Sequence, residues 1–367
     1  MKFGKFPVTK NYVDNRLREI QQFNCESDER LEIKMDAIEK RIEGQLQKLF
    51  LNHQNLLFEL NEKNIQSFIE NQEMYSLNKE VLQNLEKRIC NMQNTINSWK
   101  NVTKRRRPLV LLNFVYHLAD HCNLNCKCCD HFSPIAENKL ANITEFEKDM
   151  CRLGELCSGY ARRINLQGGE PLLNPNAIDF AIIARRYFPN AEILFTTNGI
   201  LLNKQTEEFW EQCKNNNISI EVTKYPINVD YEEILKIALN HDVNICFYGS
   251  TKDKKKTTYY LPLDLEGKQD INDNFDKCFH ANNCIMLKQG RLYTCTIAAN
   301  VEHFNYYFNK ELYVSNKDSI SIYEAENLDD ILQFLAKPIP FCRYCRVRDR
   351  EYELEWEQTK RNIKEWT

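Results

Sequence analysis

From residue 109 onward, short apolar runs alternate with amphipathic stretches, and this alternation leaves few folds open to the chain. Segments 109–116, 163–166, 191–196, 218–222 and 243–248 read as strands, and 145–156, 176–187, 205–215 and 231–240 read as the helices between them. The alternation predicts an α/β fold whose strands run parallel and whose helices make the crossovers. Ligands of parallel α/β sheets bind at the carboxyl ends of the strands, so the residues that follow each strand are the ones to search for chemistry.

Ahead of that region the chain has another character. Between Pro7 and Pro108 there is no proline, and after Gly4 the only glycine is Gly44. Apolar residues recur at spacings of three and four, at Leu31, Met35, Ile38 and Ile42, and again at Leu82, Leu85, Ile89, Met92, Ile96 and Trp99. Such spacing holds one apolar seam on a helix and predicts a coiled coil over residues 1–103, hence a homo-oligomer; a long helix folded back on the body is the alternative. Lys104, Arg105, Arg106 and Arg107 with Pro108 read as a basic linker, 104–108, because a nucleic-acid or membrane role would call for aromatic interleaving or a flanking motif. The 49 basic and 52 acidic side chains leave a net charge of only -3, which gives no global attraction to a polyanion. No apolar run approaches the roughly 20 residues of a membrane span, and the N-terminal stretch lacks the apolar core of a signal peptide. A cytoplasmic protein is expected, with neither nucleic acid nor membrane as partner. The α/β body then covers 109–262 and a C-terminal part 263–367.

In a reducing compartment, 15 cysteines point to metal binding or catalysis rather than to disulfides. Cys122, Cys126, Cys128 and Cys129 crowd together just after the first strand. Cys122, Cys126 and Cys129 form C-x3-C-x2-C, a loop short enough to direct three thiolates to one centre. Thiolates suit an iron–sulfur cluster or zinc. Zinc would want a fourth ligand, which Cys128, His121 or His131 can offer, whereas a cluster on three cysteines leaves one iron open to a small molecule. The next strand ends in Gln167-Gly168-Gly169-Glu170-Pro171. Paired glycines let backbone approach a ligand closely, and Glu170 can accept hydrogen bonds from an ammonium group.

A three-cysteine loop followed, roughly forty residues later, by Gly-Gly-Glu at the next strand end resembles the radical S-adenosylmethionine superfamily. The resemblance implies a [4Fe-4S] cluster on Cys122, Cys126 and Cys129 whose open iron chelates the amino and carboxylate groups of S-adenosylmethionine. It implies that the turn at Gly168, Gly169 and Glu170 holds the cofactor's amino group, and that the fold is a partial (β/α)6 barrel over about 109–260. Thr196, Asn198, Thr223 and Lys224 sit where the family binds ribose and carboxylate; ordinary polar strand-end residues are the alternative reading. The residue before the third cysteine is often aromatic in the family and packs near the adenine. Here it is Cys128, which leaves that contact unassigned.

A second cysteine set lies in the C-terminal part. Cys278, Gly290 and Cys295 bracket a segment that reads as a β-hairpin over 285–294 with its turn at the glycine, and Cys342-x2-Cys345 follows much later. Together these make a four-thiolate site for a cluster, or for zinc. The arrangement resembles the twitch domain, a shortened form of the SPASM auxiliary-cluster extension. No cysteine follows Cys345, so a single auxiliary [4Fe-4S] cluster is implied; Cys284 is an alternative ligand to Cys278. Residues 349–366 read as a terminal helix packed on the body.

The resemblance implies reductive cleavage of S-adenosylmethionine, fed by a donor such as flavodoxin or ferredoxin, and hydrogen abstraction from a small-molecule substrate. A second cluster saturated by cysteine is suited to accept an electron, so oxidation of a carbohydrate-type alcohol, a sugar or an aminocyclitol, is the leading expectation. Epimerisation would need a thiol hydrogen donor, for which Cys246 near the end of the 243–248 strand is the candidate; a buried strand residue is the plainer reading. Peptide modification and a zinc-binding coiled-coil scaffold are the remaining alternatives.

Overall fold

Five strands in succession bury apolar side chains against helices, and the chain order fixes how they lie together. The computed structural model describes residues 105, 108, 110–248 and 257–367, so the expected coiled coil over 1–103 lies outside the described residues. In order come β1 (Asn113–Ala119), α1 (Ile143–Leu156), β2 (Arg163–Gly168), α2 (Ala177–Tyr187), β3 (Glu192–Thr197), α3 (Glu207–Asn215), β4 (Ile218–Thr223), α4 (Tyr231–Asn240) and β5 (Ile245–Tyr248). Each neighbouring pair among these strands is parallel, which demands a crossover, and the four helices supply it. The helices start where polar side chains cap their free N–H groups: Asn142 Oδ1 accepts from Thr144 N at 2.9 Å, and Asp230 Oδ1 accepts from Glu233 N at 2.9 Å.

The two faces of the sheet differ, and the difference places the site. One face carries Phe114, Tyr116, Leu118, Ile164, Leu166, Ile193, Phe195, Ile220 and Val222, all buried in the main core with α1–α4. Tyr116 meets Phe146 edge-on at 4.6 Å between ring centroids, and Phe146 meets Phe180 at 4.9 Å, tying β1 to α1 and α2. On the other face the register sets His117 beside Gln167, Thr196 beside Glu221, and Glu221 beside Cys246. Apart from the buried His117, these are only half-buried.

The C-terminal part follows as β6 (Thr257–Tyr260), α5 (Ile271–Lys277), β7 (Met286–Lys288), β8 (Arg291–Tyr293), α6 (Thr296–Phe308), β9 (Ser319–Ser321), α7 (Leu328–Leu335) and β10 (Glu351–Glu355). The β7–β8 hairpin read from the sequence is present, with Gln289 and Gly290 both at positive φ in its turn. β7 also pairs parallel with β1, so the full order is β5-β4-β3-β2-β1-β7-β8-β9 and the segments on either side of residue 262 share one sheet.

Two expectations are corrected. The sixth strand of a (β/α)6 unit does not join the sheet among the described residues, because β6 pairs antiparallel with β10 instead. The stretch read as a terminal helix is β10 followed by an irregular run and a short 3-10 turn, Ile363–Glu365. Its apolar residues anchor a strand and a tail rather than one face of a helix. Among the described residues no helix is long and apolar enough to cross a membrane.

Candidate functional site

The cysteine loop begins directly after β1 and is tightly wound. Asn125, Cys128 and Phe132 adopt left-handed φ of 56°, 58° and 56°. That conformation costs a non-glycine residue about 1–2 kcal/mol, so the loop needs ties from outside itself.

The Gly-Gly-Glu turn provides the first set of ties. Gly169 N donates to Ala119 O at 2.8 Å and Glu170 N donates to His121 O at 3.1 Å, and a His131 ring nitrogen lies 3.0 Å from Gly168 O. A Cβ at Gly168 would lie 2.2 Å from Ala119 O, and one at Gly169 would lie 2.1 Å from His121 O. The glycines therefore permit a close approach to the cysteine loop itself. Glu170 is wholly buried. Its carboxylate accepts from Leu172 N at 3.1 Å, Thr197 Oγ1 at 2.7 Å and Asn198 N at 2.9 Å. Burial raises its pKa to about 7 even though these donors favour the ionised form. Three donors from its own chain thus hold this side chain, which the sequence reading gives to the cofactor's ammonium group.

Asn198 continues the network. Its Nδ2 donates to Asn123 Oδ1 at 2.7 Å and lies 3.8 Å from Cys122 Sγ, so the end of β3 reaches the first cysteine. Thr196 points to the opposite face from Thr197, and its buried hydroxyl has no hydrogen-bond partner in the chain. Thr223 closes β4 against Tyr248 of β5. The Lys224 ammonium sits over the rings of Phe247 and Tyr231, at 4.8 and 5.5 Å.

Cys126 is close enough to perturb both Cys122 and Cys129 electrostatically. Burial pushes the Cys122 thiol up to about 12 and the Cys129 thiol up as well. A metal cation in place of the proton is what lets such thiols ionise, so the donor set fits an iron–sulfur cluster. Cys128 lines a small recess with Asp130, Phe132, Leu261, Ile297 and Trp366. Tyr225, just past β4, was not singled out by sequence: burial and then Cys126, Cys129 and Cys122 raise its pKa, which places the hydroxyl beside the three thiols. A second set of ties was missed too. β10 runs on into a tail that lies along the loop, where Lys127 N donates to Glu357 O and Thr359 N donates to Asn125 O, both at 2.9 Å.

The second cysteine set also comes together. Cys278, Cys295 and Cys345 are buried in one core with Phe275, Phe341 and Tyr344, and Cys342 packs at its edge. Burial raises the Cys295 and Cys345 thiols, and the neighbouring thiols raise them further. Cys295 caps α6, whose N-terminus favours a thiolate. Cys284, half-buried, lies beside Asp130 and Cys278, with its pKa pushed up to about 12. Between the two sets stands His280, whose Nε2 is 3.0 Å from the carboxylate of Asp130, the residue after Cys129. Burial opposes its charge, but Asp130 and Cys278 together raise its pKa to about 9. Among the described residues no three His, Cys, Asp or Glu side chains converge tightly enough for a single metal ion. A cluster of four irons spreads its cysteine ligands more widely than one zinc ion does.

Near the loop the sheet offers a buried polar group. Asp120 lies 3.8 Å from His117 Nδ1 and 3.7 Å from His303 Nε2. Burial lowers the His117 pKa to about 4, which keeps that imidazole neutral. Cys246 has Glu221, Tyr248, Arg163 and Glu192 as its electrostatic neighbours, on β2 to β5 of the sheet.

Residues 116–244 match the Radical SAM superfamily. A GTP 3',8-cyclase of Clostridium perfringens (strain 13 / Type A) is 30% identical over 149 residues, 38% of this chain and 44% of that protein. A GTP 3',8-cyclase of Campylobacter lari is 25% identical over 126 residues, 34% of this chain and 39% of that protein. The chain thus spans less than half the length of these curated relatives. Among solved structures, BtrN in complex with AdoMet and 2-DOIA is 17% identical with a TM-score of 0.43, covering 65% of this chain and 93% of that one. Native anSMEcpe with bound AdoMet is 12% identical with a TM-score of 0.38, covering 63% and 81%. The family match spans β1 through α4 and includes the cysteine loop and the Gly-Gly-Glu turn. Residues 116–244 are therefore similar to the radical SAM superfamily, a likeness that implies S-adenosylmethionine and a [4Fe-4S] cluster.

Proposed function

We propose that this protein is a radical S-adenosylmethionine enzyme that abstracts hydrogen from a small-molecule substrate and carries a second iron–sulfur cluster. The observation that carries this reading is the grouping of the Cys122, Cys126 and Cys129 thiols on a loop pinned by the Gly-Gly-Glu turn, within the matched domain. When bound, the cluster and S-adenosylmethionine supply reductive cleavage to methionine and a 5'-deoxyadenosyl radical. The chain's own part is to hold three cysteines, to keep water from them, and to orient what binds beside them. Glu170 and Asn198 fix the end of β3 against Cys122. The half-buried polar face of the sheet and the Asp120 group offer hydrogen-bonding partners for a hydroxylated substrate.

An alcohol of carbohydrate type, oxidised by two electrons, is the substrate class we favour. Four cysteines in the second core leave no obvious open ligand position there, which suits an electron acceptor. A donor of the flavodoxin or ferredoxin class would feed the first cluster. A second reading, a reaction on GTP, is favoured by the similarity to GTP 3',8-cyclases, which covers 38% of the chain in the Clostridium perfringens case. Anaerobic incubation of the reconstituted chain with S-adenosylmethionine, dithionite and a panel of sugar alcohols, aminocyclitols and GTP separates the two. A product two mass units lighter than an alcohol supports oxidation; consumption of GTP alone supports the second reading. No 5'-deoxyadenosine under any condition sinks both.

A further inference from the structure

The tail after β10 does more than cover the cysteine loop. Gln358 forms a bridge with Cys126, Lys127 N and Thr359 N make the two backbone hydrogen bonds described above, and Lys127 Nζ pairs with Glu357 at 2.8 Å. Farther on, Trp366 is buried, and its indole N–H donates to Cys129 O at 2.8 Å. These contacts fix the tail to the middle and the C-terminal end of the C-x3-C-x2-C segment. Between them, the indole N–H of Trp356 points at a ligand sulfur: Nε1 lies 3.1 Å from Cys126 Sγ. The ring is held in that pose edge-on against Tyr225, with centroids 5.8 Å apart.

We propose that Trp356 is a tuning residue for the first cluster: its N–H donates to Cys126 Sγ and stabilises the cluster's reduced form. The inference rests on the radical S-adenosylmethionine reading, and in particular on Cys126 as an iron ligand. The physical reason is charge. One-electron reduction adds negative charge to the cluster and its sulfurs, and a donor aimed at a ligand sulfur stabilises the more negative state. The indole N–H donates and cannot accept, so it has no competing pose that would favour the oxidised state. The tail's backbone bonds serve a different end, holding the indole in place so that the contact is preorganised.

The test is a redox titration of the full-length, anaerobically reconstituted chain, following the reduced-cluster electron paramagnetic resonance signal that responds to added S-adenosylmethionine. Trp356→Phe keeps an aromatic ring against Tyr225 and removes only the N–H. Its iron and sulfide content should match wild type, while the one-electron reduction equilibrium falls by about tenfold, which is about 59 mV to lower potential. Trp366→Phe removes a bond to a carbonyl rather than to sulfur, and should leave the potential unchanged. A potential unchanged by Trp356→Phe, or one lowered equally by Trp366→Phe, overturns the proposal. A second measurement needs no substitution. In chain labelled with 15N-tryptophan, pulsed resonance of the reduced cluster should show a weak nitrogen coupling, and its absence also overturns the proposal. If the chain binds no cluster on Cys122, Cys126 and Cys129, the functional reading fails first, and a zinc-only protein announces that outcome.

Discussion

Replacing Gly169 by alanine tests how the cysteine loop is held. The added Cβ would sit 2.1 Å from His121 O, 2.3 Å from His121 C and 2.8 Å from Cys122 N, all backbone atoms that no rotamer change can clear. A real Cβ keeps at least 3.0 Å from such atoms, so the two backbones must part by 0.9 Å or more. That movement stretches the bonds from Gly169 N to Ala119 O and from Glu170 N to His121 O, now 2.8 and 3.1 Å. Overpacking of this kind and the weakened bonds together cost about 3 kcal/mol. For a body of this size that lowers Tm by roughly 6–12 °C. Because the displaced atoms belong to His121 and Cys122, anaerobic reconstitution should also load less iron on the first site. Gly154→Ala is the control. Gly154 lies inside α1, and its nearest Cβ contact would be 3.3 Å, so stability should change by under about 1 kcal/mol with full iron. Scanning calorimetry of the apo chain and iron analysis of the reconstituted chain read both quantities. If Gly169→Ala melts with wild type and loads full iron, the glycine turn does not hold the loop as argued.

Two further predictions concern the buried acid and the second thiol set. Glu170 titrates near 7 when folded against 4.5 ordinarily, so the folded state holds the extra proton between those values and stability falls as pH rises through that window. Urea midpoints of the apo chain at pH 5 and 7.5 should show that fall in wild type and lose it in Glu170→Gln; equal slopes would refute the assignment. Replacing Cys342 and Cys345 together by alanine should reduce iron and sulfide from about eight to about four per chain, with the first cluster's signal retained. Unchanged iron would remove those two cysteines from any cluster.

The cysteine loop was legible in the sequence because its chemistry is local: three thiols within eight positions need only a tight turn to converge, and the strand before them announces itself by apolar residues. The Gly-Gly-Glu turn was legible as a feature, but its packing against the cysteine loop was not. Whether two glycines admit a ligand or another stretch of backbone depends on which segment lies across from them, and that is set by the β1–β2 register. Thr197 rather than Thr196 binds Glu170 because alternation along β3 turns neighbours to opposite faces, a distinction invisible until the core face is known. The tail was misread for a related reason. Its apolar residues fit a helix stripe, yet its backbone finds partners in β6 and in the cysteine loop, roughly 230 residues away in the case of Glu357 and Lys127. Contacts of that range carry no local signature.

The central claim is that Cys122, Cys126 and Cys129 hold a cluster that cleaves S-adenosylmethionine. It is tested most directly by measuring 5'-deoxyadenosine from the anaerobically reconstituted full chain with S-adenosylmethionine and dithionite, beside Cys126→Ala treated identically. The account predicts 5'-deoxyadenosine from wild type, with iron and sulfide in equal amounts, and none from Cys126→Ala. Zinc without sulfide in protein purified free of oxygen, or equal 5'-deoxyadenosine from both proteins, would contradict it.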